Sequence, residues 1–223
     1  MMLGKRVIAI NAARKTNNTA IILKAALDGA KSEGAQTELI HLHDYNFLGC
    51  KGCMACKMLK NVPPKMCLQN DALSPILEKC LYQADSIIVG GPVYFWQAGG
   101  VFRSFSERFL YPFLIYGSPD KNYFPKNGVK KCGLIFTMGA SKSMIDDLTC
   151  NKKGEDAMQV WQDCYSRLFG KAETLRVYYT YHVKNFKGYE LDCLNEPARK
   201  QYHDQNWERD LKLAYEMGKK LAK

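Results

Sequence analysis

The sequence predicts an α/β protein built on a doubly wound sheet of five parallel strands, covered by helices on both faces. Five short apolar runs of β type alternate along most of the chain with segments of helical spacing. The run at residues 86–90 is apolar on both sides, as expected of a central parallel strand. The length of 223 residues suits one domain, and no repeat or linker interrupts it. We therefore expect residues 1–223 to form a single domain.

The individual elements follow from local patterns. Strands are expected at residues 6–11, 36–41, 86–90, 131–137 and 173–181. Helices are expected at residues 19–33, 71–81, 100–109, 155–169 and 199–222. Gly34 is typical of a helix C-cap, and Asn70 is a candidate N-cap for the second helix. The aromatic connection at 111–128 is expected to run over the surface, and its segment 111–123 is a candidate interface between copies.

The cysteine content and the lengths of the apolar runs indicate the cellular compartment of the protein. The nine cysteines are an odd number, and three of them fall within seven residues. This pattern is typical of a reduced, cytoplasmic chain with a thiol or metal site, not of a secreted disulfide framework. The apolar run at residues 7–10 is too short for a signal peptide, and no run is long enough to span a membrane.

The net charge of +10 is compatible with nucleic acid, a membrane surface or an anionic cofactor as partner. Lys and Arg are spread along the whole chain instead of forming one basic block. A basic nucleic-acid-binding protein is therefore the least favoured alternative, and a bias toward phosphate-bearing ligands is favoured.

The loop after the first strand has the composition of a phosphate site. It runs from Asn11 to Thr19, contains the cations Arg14 and Lys15, and ends at a helix N-terminus. Free N–H groups and the positive end of the helix dipole attract phosphate at such a position. Because the loop contains no glycine, it is neither a dinucleotide fingerprint nor a P-loop. It predicts a mononucleotide phosphate, with an ordinary polar loop as the alternative.

Two further loops follow strands three and four at the same predicted sheet edge, where ligands of doubly wound proteins bind. Three consecutive aromatic residues, Tyr94, Phe95 and Trp96, come just beyond a buried strand. Flat rings suit contact with a flat cofactor, and Pro92 would stiffen the backbone. An aromatic plug over the sheet end is the alternative. The turn at 137–141 is small and contains a glycine, so its backbone would approach a ligand closely.

These loops resemble the NAD(P)H-dependent FMN reductase group of the flavodoxin-like superfamily. Residues 10–20 are similar to its phosphate loop, I-N-G-S-x-R-x-x-G-N-T, although Ala12 and Ala13 stand near the usual Gly-Ser and Asn17 stands where Gly is typical. Residues 90–95 are similar to its flavin loop, G-S-P-V-Y-F. Residues 99–108 are similar to the helix S-G-x-L-K-x-F-x-D-R that follows.

The resemblance implies a three-layer flavodoxin-like sheet of order 2-1-3-4-5 that binds FMN. It implies an oxidoreductase that passes electrons from NAD(P)H to a small acceptor such as a flavin or quinone, and a homodimer or homotetramer. The flavin would carry the chemistry, so no side chain is expected to be catalytic, and His41, His43, His182 and His203 are interpreted as structural. The residues expected to bind FMN are Asn11, Ala13, Arg14, Thr16, Asn18, Thr19, Pro92, Val93, Tyr94, Phe95, Trp96, Thr137, Met138 and Gly139.

A cysteine-rich loop follows the second strand. Its spacing, Cys50-x2-Cys53-x2-Cys56 and then Cys67, allows three or four thiolates to hold a [4Fe–4S] cluster, and zinc fits this spacing less well. The loop resembles that of the iron–sulfur flavoproteins, C-x2-C-x2-C-x(4–7)-C, but here the last gap holds ten residues and includes Pro63-Pro64. An electron carrier between protein partners is therefore one alternative function, and a loop of structural thiols is the other reading.

Overall fold

This computed structural model describes residues 4–58, 66–114, 116, 131–148, 156–183, 185–191 and 194–223. The strands are β1 (Arg6–Asn11), β2 (Gln36–His41), β3 (Ser86–Tyr94), β4 (Gln97–Ala98), β5 (Lys131–Thr137) and β6 (Glu173–Val177). The helices are α1 (Asn18–Ser32), α2 (Ser74–Tyr82), α3 (Gly100–Leu110), α4 (Lys142–Leu148), α5 (Asp156–Phe169) and α6 (Glu196–Ala222).

The sheet has the predicted topology. Five strands pair in parallel in the order β2-β1-β3-β5-β6, and the short β4 pairs antiparallel with the end of β3. The sequence order 2-1-3-4-5 is confirmed, since β5 and β6 are the fourth and fifth parallel strands. The direction of strand succession reverses between β1 and β3, so these two strands mark the switch point where ligands of this architecture bind.

The two faces of the sheet carry separate apolar layers. Alternate residues of β1 divide between them: Ile8 and Ile10 pack toward α2, α3 and α5, whereas Val7 and Ala9 pack toward α1 and α6. Helices α1 and α6 approach closely at Gly218, where a Cβ would collide with the carbonyl oxygen of Ala26. The sheet is therefore covered on both sides, as the sequence predicted.

Strand β3 is longer than predicted. It continues past Gly90, and Gly91 and Pro92 pair with Phe136 and Thr137 of β5 before the chain turns into β4. The prediction of a loop from residue 90 onward was therefore wrong, because pairing with β5 overrides the turn preference of a Gly-Pro step. This extension carries the aromatic residues beyond the sheet edge as a tight hairpin.

Three other boundaries differ from the prediction by three or four residues. Helix α2 begins at Ser74 because the side chain of Asp71 accepts the N–H of Leu73 (3.0 Å), so Asp71 shapes the preceding turn and Asn70 is not the cap. Strand β6 ends at Val177, four residues early. Helix α6 begins at Glu196, where the side chain of Asn195 accepts the N–H of Ala198 (2.9 Å).

Among the strands and α-helices of the described residues, β4 and α4 were not predicted. Most of the aromatic connection lies outside the described residues, including 115 and 117–123 of the candidate interface. None of the helices in the described ranges has both the length and the apolar character needed to cross a membrane.

Candidate functional site: a cleft at the sheet edge and a cysteine cavity

Loops after β1, β3, β5 and β6 converge on one cleft of about 480 Å³ at the carboxyl edge of the sheet. The cleft lies at the switch point between β1 and β3. Its lining consists of Arg14, Asn17, Asn18, Pro92, Tyr94, Thr137, Gly139, Thr180, Tyr181 and His182. Six of the fourteen residues expected to bind FMN belong to this lining, namely Arg14, Asn18, Pro92, Tyr94, Thr137 and Gly139.

Asn11 organises the loop after β1 and is itself fully buried. Its amide nitrogen donates to the carbonyl oxygen of Ala13 (2.9 Å), and its amide oxygen accepts the N–H of Ala13 (3.2 Å). The same nitrogen lies 2.8 Å from Nδ1 of His41 on β2. Asn11 and Ala13 therefore shape the loop from behind the cleft, and Arg14, Lys15 and Thr16 are the exposed residues of the loop.

The N-terminus of α1 opens toward the cleft. Asn17 takes the N-cap position without a capping hydrogen bond from its side chain, and its buried Oδ1 has no hydrogen-bond partner in the described part of the chain. The first N–H groups of a helix have no partner within the helix. Asn18 donates from its side chain to the carbonyl oxygen of Tyr181 (2.8 Å), which joins the first loop to the loop after β6.

Thr19 is placed differently from its neighbours. It is fully buried, and its hydroxyl lies 2.7 Å from that of Thr137 at the end of β5. This hydrogen bond joins the start of α1 to the end of β5 beneath the cleft. Of the two cations, Lys15 pairs with Asp44 (2.8 Å), whereas Arg14 faces the cleft.

The aromatic residues lie on the β3–β4 hairpin. Its two central residues, Phe95 and Trp96, have φ values of 49° and 63°, which L-residues with large side chains rarely adopt. Phe95 is 95% exposed, whereas Trp96 is half-buried and packs against the core. Tyr94 lines the cleft, and Val93 pairs with Ala98 of β4. The hairpin thus holds one aromatic side chain in the cleft and another free at its tip.

The turn after β5 is covered by the loop after β6. The backbone of Met138 bonds to the end of β6 and to this loop, donating to Val177 and accepting from Thr180, each at 2.9 Å. At Gly139 a Cβ would stand only 2.8 Å from Nε2 of His182, so the ring fills the space that a side chain would need. Burial, with a smaller contribution from Arg199, lowers the pKa of His182 and favours the neutral ring.

Thr180, Tyr181 and His182 are site residues that sequence reasoning missed. The prediction extended the last strand to residue 181, which put these residues inside or next to regular structure. Their position directly after the carboxyl end of a parallel strand was the signal that could have identified them.

The four cysteines of the predicted cluster site line one small cavity, together with Arg108 and Tyr111. Burial raises the pKa of the Cys56 thiol. Across the described ranges, no group of three or more His, Cys, Asp or Glu side chains is arranged to hold a metal ion. The residues between Cys56 and Cys67 at 59–65, including Pro63-Pro64, lie outside the described part of the chain.

Arg108 of α3 contacts the residues on both sides of the cysteine loop. Its guanidinium is fully buried and pairs with Asp71 at 2.5 Å. It also donates to the carbonyl oxygens of Leu48 (3.0 Å) and Gln69 (2.9 Å), which flank the cysteine loop on either side. Burial opposes ionisation of Asp71, but hydrogen bonds from Arg108, Gln69 and the N–H of Leu73 outweigh it and lower the pKa of Asp71 to about 2.

The cysteine cavity and the cleft lie at different places along α3. The hairpin leads into the start of α3, with the N–H of Gly99 bonded to the carbonyl oxygen of Pro92 (2.9 Å). The cavity is lined by Glu107 and Arg108 near the end of the same helix. Within the described residues the two linings share no member. Cys80 and Cys132 are buried in the core, and burial raises the pKa of each to about 12. Cys150 and Cys193 lie outside the described residues.

The parallel sheet and the cleft at its switch point define a flavodoxin-like α/β protein. Residues 5–154 match the NADPH-dependent FMN reductase family, and the chain belongs to this family. The resemblance inferred from the phosphate and aromatic loops is therefore confirmed.

Two relatives are similar over part of the chain. An iron-sulfur flavoprotein of Archaeoglobus fulgidus is 36% identical over 103 residues, 46% of this chain and 48% of the relative. An iron-sulfur flavoprotein of Methanocaldococcus jannaschii is 38% identical over 97 residues, 43% of this chain and 46% of the relative. The matched part of the chain thus spans about half the length of these curated relatives.

Two solved structures are similar over nearly the whole chain. An NAD(P)H:quinone oxidoreductase from Methanothermobacter marburgensis has a TM-score of 0.65 at 13% identity, covering 99% of this chain and 98% of the other. An FMN-dependent NADH-azoreductase from Bacillus anthracis, in complex with FMN, has a TM-score of 0.60 at 12% identity, covering 98% and 100%. At such identities the similarity shows the fold.

Proposed function

We propose that this protein is an FMN-dependent oxidoreductase that passes electrons from NAD(P)H to a small acceptor. The observation that carries the proposal is the cleft, where an uncapped helix N-terminus, Arg14 and the hairpin residue Tyr94 meet at the switch point of the sheet. Membership of the NADPH-dependent FMN reductase family supports the same cofactor.

The first loop fits a phosphate monoester. Arg14 and Thr16 are exposed at the loop, and the N-terminal N–H groups of α1 lie directly after them. These groups would hold the phosphate of FMN by charge and by hydrogen bonds from N–H donors. The buried, unpartnered Oδ1 of Asn17 would accept a hydrogen bond from a hydroxyl of the cofactor.

The hairpin and the turn after β5 fit a flat ring. Pro92 and Tyr94 line one side of the cleft, and Thr137 and Gly139 line another. The absence of a side chain at Gly139 allows close approach of the backbone, while neutral His182 limits the space behind it. FMN, when bound, supplies hydride and single-electron transfer, and these residues would bind and orient it.

We propose a small flat acceptor, such as a quinone or flavin, that enters beside Tyr94 and Phe95. The two similar structures support this proposal, since one is a quinone oxidoreductase and the other an NADH-azoreductase. We further propose that the chain is one domain that works as a homodimer or homotetramer. The seven cysteines of the described ranges are free thiols, which supports a reducing cytoplasm as its location.

A visible absorption spectrum of protein purified without oxygen, followed by NADPH and NADH oxidation assays, tests this proposal. We expect a two-banded flavin spectrum, or its appearance when FMN is added, and pyridine nucleotide oxidation that depends on flavin and a quinone acceptor. A colourless protein that takes up no FMN would contradict the proposal.

A second function, that of an iron–sulfur flavoprotein, is favoured by the shared cavity of Cys50, Cys53, Cys56 and Cys67. Four thiolates are a fitting donor set for a [4Fe–4S] cluster, which would supply single-electron transfer. The described part of the loop does not form a metal-holding group, so cluster binding would require the thiols to rearrange. Iron and acid-labile sulfide measured on the same anaerobic sample decide between the functions, because a cluster-free reductase contains neither.

A further inference from the structure

Asn11 and His41 end two neighbouring strands and face each other. They are register partners at the last positions of β1 and β2. The amide nitrogen of Asn11 lies 2.8 Å from Nδ1 of His41. Asn11 is fully buried, whereas His41 is half-buried at the edge of the sheet.

The direction of this hydrogen bond follows from the other contacts of Asn11. Its Oδ1 accepts the N–H of Ala13 (3.2 Å), so the atom facing His41 must be the NH2 group, which only donates. Nδ1 of His41 must therefore present a lone pair, and the ring proton resides on Nε2. The second hydrogen of the same NH2 group goes to the carbonyl oxygen of Ala13 (2.9 Å), with the carbonyl oxygen of Arg14 farther away at 3.5 Å.

We propose that His41 is a positioning residue for the phosphate loop. Its Nδ1 lone pair orients the amide of Asn11, and that amide holds the backbone at Ala13 and Arg14 in the shape that presents Arg14 to the cleft. The inference rests on the proposed function, since it assumes that this loop binds the phosphate of FMN. It assigns a role to a histidine that the sequence indicated only as structural.

The surroundings of His41 favour the neutral ring that this role requires. Burial lowers the pKa of His41; the carboxylate of Asp44 opposes this shift, and the cations Lys15 and Lys24 support it. These groups face the ring from the turn after β2, from the phosphate loop and from α1. Protonation of Nδ1 would place its N–H opposite the NH2 group of Asn11. Both groups would then be donors, so the hydrogen bond between His41 and Asn11 would be lost. The pKa of His41 in the folded protein lies below the usual value of 6.5. The hydrogen bond to Asn11 is therefore fully formed above pH 6.5 and is lost as the pH falls through the folded-state pKa of His41.

Three variants test the proposal through FMN affinity, measured by quenching of flavin fluorescence in the full-length protein. His41→Phe keeps a flat ring but removes the lone pair, and we expect it to weaken FMN binding about tenfold. His41→Gln restores an acceptor oxygen and is expected to stay within about threefold of the wild-type affinity. His43→Phe is the matched control, because His43 is exposed, and it should leave the affinity unchanged.

Two further readouts separate positioning from general stability. Riboflavin, which lacks the phosphate, should bind the wild type and His41→Phe equally. Acidification through the folded-state pKa of His41 should weaken FMN binding to the wild type more than to His41→Gln. Both proteins bind the same phosphate at each pH, but only the wild type carries a titrating ring at position 41. A constant ratio of the two affinities across pH would overturn the inference.

The possible results distinguish a failure of this inference from a failure of the proposed function. If wild type binds FMN and His41→Phe binds it equally well, the inference is wrong and the proposed function stands. If wild type binds no FMN, both are overturned. Nitrogen NMR of the imidazole supplies an independent reading, since a proton found on Nδ1 instead of Nε2 at neutral pH would also overturn the inference.

Discussion

The hydroxyl groups of Thr19 and Thr137 lie 2.7 Å apart in the interior of the protein, joining the start of α1 to the end of β5. This contact links two loops that are 118 residues apart in sequence and that both line the proposed flavin cleft. Thr19 therefore supports the site from the interior of the protein, whereas Arg14 and Thr16 are exposed at the loop. Variants of these residues should therefore affect different properties.

Replacing one of the two threonines by valine should destabilise the fold by about 1–2 kcal/mol, because the remaining hydroxyl would be buried without a partner. The double variant should lose less than the sum of the two single variants, since no orphan hydroxyl remains. Urea denaturation of wild type, Thr19→Val, Thr137→Val and the double variant measures the coupling. Thr16→Val, at an exposed position, is the control. Strict additivity would show that the contact contributes no stability.

Arg14→Gln should weaken FMN binding about tenfold, because a charged donor to the phosphate would be lost from an exposed site. The affinity for riboflavin should not change, as riboflavin has no phosphate. Lys15→Gln is the matched control, since Lys15 is occupied by Asp44. Titrations of both flavins into each variant check the prediction, and an equal loss for FMN and riboflavin would remove Arg14 from the phosphate site.

Gly139→Ala should disturb flavin binding with little loss of stability. The new Cβ would come within 2.8 Å of Nε2 of His182, so the ring must move, and it faces the cleft. Gly100→Ala is the control, because no atom lies within 4 Å of the added methyl group. Thermal unfolding and FMN titration of both variants measure the two effects. An unchanged FMN affinity in Gly139→Ala would indicate that this turn lies away from the ring.

Phe95→Asn should stabilise the protein by about 1 kcal/mol. The residue has a φ of 49°, which Asn tolerates better than Phe, and its 95% exposed side chain contributes little to packing. If Phe95 serves the acceptor, as proposed, the same variant should turn over quinones more slowly. Thermal unfolding and steady-state rates test both parts, and a variant that is less stable than wild type would show that the turn is not strained.

The ion pair between Arg108 and Asp71, which holds the cysteine loop in place, should stabilise the folded protein in a pH-dependent manner. Because the pKa of Asp71 is lowered to about 2 in the folded state, its contribution is complete above about pH 4 and is lost as the pH falls toward 2. The shift corresponds to roughly 2 kcal/mol. Asp71→Asn should lose this amount at neutral pH but little near pH 2, which urea denaturation at several pH values measures. A stability difference that does not change with pH would contradict the assignment.

Much of the fold could be predicted because its signals are local. The apolar runs of β1, β2 and β5 define those strands to the residue, and Gly34, with a φ of 83°, closes α1 as its sequence position indicated. The extension of β3 through Pro92 could not be predicted, because it depends on pairing with β5, a strand about forty residues later.

The site was predictable only in part for the same reason. Arg14 and Tyr94 carry recognisable chemistry in loops of recognisable position. By contrast, His182 enters the cleft because the loop after β6 folds over the turn after β5, and the role of Asn11 depends on where its amide points. Such roles arise from contacts between distant segments, which composition and spacing do not encode.

Titration of the purified wild-type protein with FMN tests the central claim most directly. The account predicts saturable binding of one FMN per chain with quenching of flavin fluorescence, and weaker binding of riboflavin because the phosphate contacts at Arg14 and α1 are missing. Protein that is folded by circular dichroism yet binds neither flavin would contradict the account.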